Sequence, residues 1–217
     1  MTWTQIYDAV CLRIWGMQEP PEGAVDILQG AEGIIGNIHR NIQRKKDYWF
    51  MEIASTIDVL EGVSEYDLPD GFKKLDRDGL RFLQEAGYGP PLKLLMPGDY
   101  RYFDDPDATE DYPQYYEIHE NVLKLTATPA SDQTLHIRYL GYLDRPPDAF
   151  DDTTDDLLTY GADVVVNLAA AEVLLAQESI KKAQMYEAKG LEALLILNEE
   201  DAERRLSEFT QIRYRDV

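Results

Sequence analysis

The sequence predicts an α+β fold, in which helices from both ends of the chain form a helical bundle and a mainly antiparallel β domain is inserted between them. Apolar residues recur at helical spacing near the N-terminus and again after Thr153. From Tyr48 onward the period changes from 3.6 to 2, which is typical of strands. Amphipathic helices that are split by such an insertion bury their apolar faces only by packing against one another.

The change of period also gives the predicted domain boundaries. We assign residues 1–47 and 153–209 to the helical bundle, residues 48–152 to the inserted β domain, and residues 210–217 to a C-terminal tail. A chain of 217 residues is long enough to bury a core without disulfides. The single Cys11 has no intrachain partner and is expected to be a small core residue.

Two helices are predicted before the β domain. The first begins near Trp3 and ends at Gly16, ahead of a pair of prolines. The second extends from Val25 to Ile42 and is followed by basic residues that complement the negative end of the helix dipole. Glycines recur every three residues in this second helix, which predicts close packing against a neighbour: Gly30, Gly33 and Gly36.

An antiparallel helical pair is predicted at the other end of the chain. Its first helix begins with a capping box formed by Thr153 and Asp156. The apolar stripe of this helix is Leu157, Tyr160, Gly161, Val164, Leu168, Ala171 and Leu175. The second helix begins at Ser179, with the stripe Ala183, Tyr186, Gly190, Leu191, Leu194 and Leu197. Both stripes are interpreted as core.

Strands and turns are predicted throughout the central segment. A hairpin is expected from Tyr115–Ile118 and Val122–Leu125, and a final strand begins near Leu135. Residues 98–103 are expected to form one helical turn. Further strand candidates lie at residues 49–53, 57–59, 73–75, 80–84 and 92–95.

The net charge of −20 argues against a protein that grips nucleic-acid phosphates, because such binding needs clustered Lys and Arg. The acidic residues concentrate at 104–111 and 144–156, whereas Arg204–Arg215 is mildly basic. Like-charged copies repel, so we expect the isolated chain to stay monomeric at low salt. No secretory signal and no membrane span are expected, since charged or polar residues interrupt the most apolar run.

No constellation of catalytic, metal-binding or cofactor-binding residues is recognised. The histidines His39, His119 and His136 are far apart in sequence and lack metal-ligand spacing. Neither a Gly-rich phosphate loop nor a nucleophile elbow occurs. We therefore predict a protein that is not an enzyme and needs no cofactor. The alternative is an acidic glycoside hydrolase acting on cell-wall polysaccharide through two carboxylates.

The order of elements resembles a known family. The features that carry the resemblance are the Trp-bearing first helix, the Ile-rich second helix ending near Trp49, the segment Tyr66–Phe72, the strand ending in Tyr139, and Leu157–Ala162 at the start of the helical end. Together they resemble the tailed-bacteriophage head-to-tail adaptor proteins, also called head completion or connector proteins.

The resemblance implies a structural virion protein. Such an adaptor would form a dodecameric ring beneath the portal of the DNA-filled head, join the portal to a tail or nozzle protein, and line part of the DNA channel. It would be located at the head–tail junction, and in the host cytoplasm during assembly. An acidic channel surface would let DNA pass without sequence-specific binding.

The C-terminal tail is the predicted portal contact. Beyond the last helical stripe the chain mixes Arg with aromatic and aliphatic residues, which is typical of interface anchors. In the adaptor family a C-terminal segment of this kind docks on the portal. The candidate portal-binding residues are Arg205, Phe209, Ile212, Arg213, Tyr214, Arg215 and Val217.

Overall fold

The computed structural model describes residues 1–17, 21–30, 32–95, 108–144 and 146–215, with the side chains of Ala24 and of residues 208–215 left undescribed. The chain divides into a helical unit, Met1–Phe50 with Leu143–Val217, and a sheet unit, Met51–Tyr142. The α+β class is therefore confirmed. The helical turn predicted at residues 98–103 lies outside the described residues. No helix in the described ranges is both long and apolar enough to cross a membrane.

The helical unit is arranged around one buried helix. Its described residues form six helices: α1 (Trp3–Trp15), α2 (Ala24–Leu28), α3 (Ile34–Lys45), α4 (Asp156–Tyr160), α5 (Ala162–Ala176) and α6 (Ile180–Arg215). Helix α5 packs against α1, α3 and α6, and most of its residues are buried. The N-terminal and C-terminal helices thus share one core.

Helix α1 follows its predicted bounds. The Thr2 side chain and Gln5 form a reciprocal capping box at its start, and Gly16 ends it in the left-handed conformation. Its buried face includes Cys11, as the sequence predicts.

The prediction of one helix from Val25 to Ile42 is wrong, because glycines break it. Gly30 adopts a left-handed φ of +79°, and a Cβ on Gly33 would lie 2.1 Å from the carbonyl oxygen of Gln29. Helix α2 therefore ends before these residues, and α3 begins after Gly33, which is its N-cap. Only Gly36 of the three glycines lies inside a helix.

The predicted capping box at Thr153 is also wrong. The N-cap is Asp155, whose side chain accepts a hydrogen bond from the Leu158 amide. Thr153 instead donates to the Asp151 carboxylate. The helix that follows is interrupted at Gly161, where a Cβ would lie 3.0 Å from the Leu197 side chain. The predicted first helix of the pair is consequently two helices, α4 and α5.

A buried polar chain ties α3 to the segment that returns from the sheet unit. The Leu143 amide donates to the Gln43 side-chain oxygen at 2.8 Å. The Gln43 amide nitrogen lies 3.0 Å from His39 Nδ1, and His39 Nε2 lies 2.8 Å from an Asp155 carboxylate oxygen. His39 is 1% exposed and is therefore a core histidine.

The sheet unit follows a short 3₁₀ turn, Trp49–Met51, where a strand had been predicted. Its strands are β1 (Glu52–Val59), β2 (Glu65–Asp67), β3 (Phe72–Gln84), β4 (Gly87–Pro91), β5 (Lys93–Leu94), β6 (Thr109–Glu110), β7 (Tyr115–His119), β8 (Val122–Leu125), β9 (Thr128–Pro129) and β10 (Gln133–Gly141). The hairpin β7–β8 confirms the prediction. Strand β3 joins two segments predicted separately, and it pairs irregularly with β10 between Ile137 and Tyr139.

Two four-stranded sheets share the core of this unit. Their strand orders are β1-β10-β3-β4 and β2-β8-β7-β5, and β6 pairs with β9 separately. The pairings are antiparallel except for β5 with β7 and β6 with β9. The core draws from both sheets, chiefly on Val59, Leu80, Phe82, Leu123, Leu125, Leu135 and Ile137. The inserted unit thus buries its own apolar core.

Candidate functional site: the C-terminal helix and its anchor

The last helix is much longer than the helix it packs on. Helix α6 has 36 residues and α5 has 15. At a rise of 1.5 Å per residue these correspond to about 54 Å and about 22 Å. Helix α5 therefore covers less than half of α6.

The contact between α5 and α6 is a narrow seam. Ala183, Gly190 and Leu197 are buried and are spaced by seven residues, so they form one line along α6. Gly190 lets the helices approach closely, because a Cβ there would lie 2.7 Å from the Leu168 side chain. Most other residues of α6 up to position 207 are exposed or half-buried.

The narrow seam overturns part of the predicted core. Leu175 and Leu191, assigned to the two core stripes, are 61% and 51% exposed, and Tyr160 is 41% exposed. The helical period placed these residues near the contact, but the two helices meet along one line rather than over a broad face.

A buried carboxylate anchors the far part of α6. Asp201 is 2% exposed. One of its oxygens lies 2.9 Å from Lys46 Nζ. The other accepts hydrogen bonds from the Trp49 amide at 2.9 Å and from Arg205 Nε at 3.1 Å. We call Lys46, Trp49, Asp201 and Arg205 the Asp201 anchor; it fixes α6 to the segment that leads into the sheet unit.

These contacts set the ionisation of the anchor. Burial by itself raises the pKa of the Asp201 carboxyl, but hydrogen bonds from Lys46, the Trp49 amide and Arg205 outweigh burial and hold the pKa below its ordinary value. Burial, and then the Asp201 charge, raise the pKa of the nearby Tyr48 phenol to about 12. At neutral pH Asp201 is therefore ionised and Tyr48 is neutral.

Two consecutive arginines extend the anchor. Arg205 Nη2 donates to the Asp47 carbonyl oxygen at 2.9 Å. The Arg204 guanidinium lies 4.4 Å from the centre of the Trp49 ring and 5.1 Å from that of Tyr160. Cation–π contacts of this kind stabilise by about 0.5–1 kcal/mol at exposed sites. Arg204 and Arg205 thus fix the direction of the helix before its last turns.

Six of the seven candidate portal-binding residues lie on this helix. Helix α6 continues to Arg215, so residues 210–215 of the predicted tail are helical. Arg205 makes internal contacts and positions the helix. Phe209, Ile212, Arg213, Tyr214 and Arg215 lie in its last turns, where only the backbone is described, and Val217 lies outside the described residues.

Sequence reasoning missed Asp201. The available signal was the spacing of Asp201 and Arg205, which are four residues apart and so meet on one helix face. The third charged group, Lys46, is far from Asp201 in the sequence. From the sequence it is assigned only to the basic residues that complement the dipole of the second helix. Within the described ranges, no group of three His, Cys, Asp or Glu residues is placed to hold a metal ion.

Comparison with known families identifies the chain. The family model described as SU10 adaptor protein matches residues 1–213, so the chain belongs to that family. No curated protein matches it at a significant level. The family match agrees with the resemblance to phage head-to-tail adaptors and indicates a structural protein that associates with other virion proteins. It favours this class over a glycoside hydrolase.

Removing the anchor charge is expected to destabilise the helical unit. In Asp201→Asn the buried carboxylate that pairs with Lys46 and Arg205 is lost, and hydrogen bonds to charged groups contribute about 1.5–3 kcal/mol. We expect the free energy of unfolding to fall by about 2 kcal/mol, measured by denaturant titration. Glu199→Gln, an exposed change on the same helix, is the control and should change it by less than about 0.5 kcal/mol. Equal effects of the two variants would contradict the anchor.

The contribution of Asp201 is expected to depend on acid pH. Because the folded state lowers its pKa, the stabilisation is fully present above the unfolded value of about 3.9 and is lost as the pH falls through the lower folded value. The stability difference between the wild-type chain and Asp201→Asn should therefore be constant near neutrality and shrink below about pH 4. Denaturant titrations across this range measure it. A difference that grows on acidification would contradict the assignment.

Proposed function

We propose that this member of the SU10 adaptor protein family joins the portal to the tail of a phage particle, with the last turns of α6 docking on the portal. The observation that supports this most is the length of α6. The helix extends well beyond the seam with α5, and the Asp201 anchor fixes its direction at residues 201–205. Its end is thereby presented to a partner with little loss of conformational freedom on binding.

The composition of the last turns fits a protein interface. Arg213 and Arg215 accompany Phe209, Ile212 and Tyr214 within a chain of net charge −20. Aromatic residues and Arg are enriched among residues that dominate binding energy. Because this helix end is cationic and aromatic, we expect it to bind a depression on the portal that is lined by acidic or apolar residues.

The family and the net charge support a proposal for the rest of the assembly. We infer a ring of identical copies, dodecameric as in the adaptors that this chain resembles, located at the head–tail junction and contacting a tail or nozzle protein on its other side. Acidic side chains facing the channel would repel phosphates, so DNA would pass without sequence-specific binding. Copies that carry −20 repel each other, so assembly depends on the portal or on added salt.

Deleting Ile212–Val217 should abolish co-sedimentation with the cognate portal protein. The thermal unfolding temperature should change little, because the deleted segment lies beyond the seam and the Asp201 anchor. A finer variant is Arg213→Glu with Arg215→Glu, and its control reverses two exposed lysines near the start of the same helix, Lys181→Glu with Lys182→Glu. Only the first pair should weaken binding. Normal portal binding by the deleted chain would overturn the proposal.

A further inference from the structure

Strand β1 forms one outer edge of the sheet β1-β10-β3-β4. It pairs with β10 over all eight of its residues, from Glu52 to Val59, without a register shift. Among the described residues, no backbone hydrogen bond joins Ile53–Val59 to a segment other than β10. Alternate residues of a strand direct their N–H and C=O groups to opposite sides, so about four residues of β1 present these groups outward.

Strand β1 also lacks the features that commonly protect a sheet edge, which are proline, charged residues, bulges and short length. Its central residues, Ile53–Ile57, include neither a proline nor a charged residue, and five of the eight residues of the strand are exposed. The other outer strands of the two four-stranded sheets differ. Strand β4 contains Pro90 and Pro91, while β2 and β5 have three and two residues. The edge of β1 is therefore open to a further strand.

The alternation of side chains along β1 defines what such a strand must carry. Ile57 and Val59 pack on the core of the sheet unit, and Ile53 lies on the same side because it is separated from them by even numbers of residues. Ile53 is 37% exposed, and Leu60, directly after the strand, is 53% exposed. Apolar residues at alternate positions of an added strand would cover the row that begins at Ile53.

The C-terminal end of β1 is acidic. Asp58 lies opposite Thr134, so its neighbour on β10 is uncharged. Glu61 follows the strand, and its amide donates to the Asp132 carboxylate at 2.8 Å. An added strand is therefore expected to carry Lys or Arg beside Asp58.

The N-terminal end of β1 gives no such preference. Glu52 lies 3.9 Å from the Arg138 guanidinium, which also lies 3.5 Å from the Asp76 carboxylate. These charges are already balanced within the sheet. The electrostatic preference for a partner thus concentrates near Asp58.

The described part of a second copy offers no suitable strand. Its remaining outer strands in the four-stranded sheets are short or contain proline. Pairing β1 with β1 of another copy would close a two-fold dimer and bring Glu52 and Asp58 of the two chains together on one face. The net charge of −20 on each copy opposes that contact.

We propose that the outer edge of β1 binds an extended segment of another virion protein. The segment adds as an antiparallel strand, with apolar residues at alternate positions and Lys or Arg beside Asp58. In this mode of recognition the main-chain hydrogen bonds supply affinity, and the alternating side chains supply specificity. Since β1 belongs to the sheet unit and α6 to the helical unit, the inference does not depend on the portal contact.

A synthetic peptide with blocked ends, Lys-Val-Lys-Val-Thr-Val-Thr-Val, tests the edge when amide hydrogen exchange of the full chain is followed by NMR. Without peptide, alternate amides of Ile53–Val59 should exchange fast, while those bonded to β10 exchange slowly. With peptide at about ten times its dissociation constant, exchange at the fast amides should slow about tenfold. No slowing at the highest soluble peptide concentration would overturn the inference.

Two N-methylated peptides are the matched controls for backbone pairing. Each carries a methyl group on every second backbone nitrogen, starting from the first residue in one peptide and from the second in the other. Only the peptide whose methyl groups point away from β1 should bind, because the other cannot donate to the edge. Equal binding of the two peptides would contradict strand addition.

Charge reversal tests the contact at Asp58. Asp58→Lys should weaken binding of the lysine peptide about two- to fivefold and strengthen binding of a version with Glu in place of Lys by a similar factor. The control is Glu85→Lys, an exposed change between β3 and β4 on the far side of the same sheet, which should alter neither. The same response in both variants would overturn the proposed position of the basic residue.

Two further outcomes identify the occupant and separate this inference from the proposed function. If the fast amides of β1 become protected as the chain alone is concentrated, then a second copy occupies the edge and the inference is overturned. The chain that lacks Ile212–Val217 should bind the peptide as the full chain does. Loss of portal binding without loss of peptide binding in that variant supports the inference, whereas loss of both would contradict it.

Discussion

The ion pairs of Asp201 hold the C-terminal helix α6 in place. A buried carboxylate that receives Lys46, Arg205 and the Trp49 amide fixes α6 at a point where α5 gives little support. Breaking such a buried pair leaves a charge without its partner, which is strongly unfavourable. The helix is therefore held at two places, at the seam and at the anchor.

The narrow seam has a second consequence. A long helix held along one line keeps most of its circumference for other contacts, and α6 carries apolar residues on two further faces. Exposed Leu and Ile side chains do not stabilise the folded monomer, and they favour aggregation. This exposure agrees with membership of the SU10 adaptor family, which implies association with other virion proteins.

Local patterns predicted the elements of this fold better than their contacts. The helical period and the stop at Gly16 predicted α1, the strand pattern predicted the β7–β8 hairpin, and the order of elements indicated the family. The break at Gly30–Gly33 was missed because apolar spacing continues across it, although a left-handed glycine ends the helix. Asp201 and the exposure of Leu191 depend on tertiary geometry. Whether residues pack over a face or along one line is not encoded in the helical period alone.

Electron microscopy of negatively stained portal protein, imaged with and without this chain, tests whether the chain is a portal adaptor. We expect closed rings of additional density at one end of the portal when the chain is present, and predominantly monomeric protein when it is alone at low salt. Portals that remain unchanged at saturating concentrations of the folded chain would show that it does not bind there.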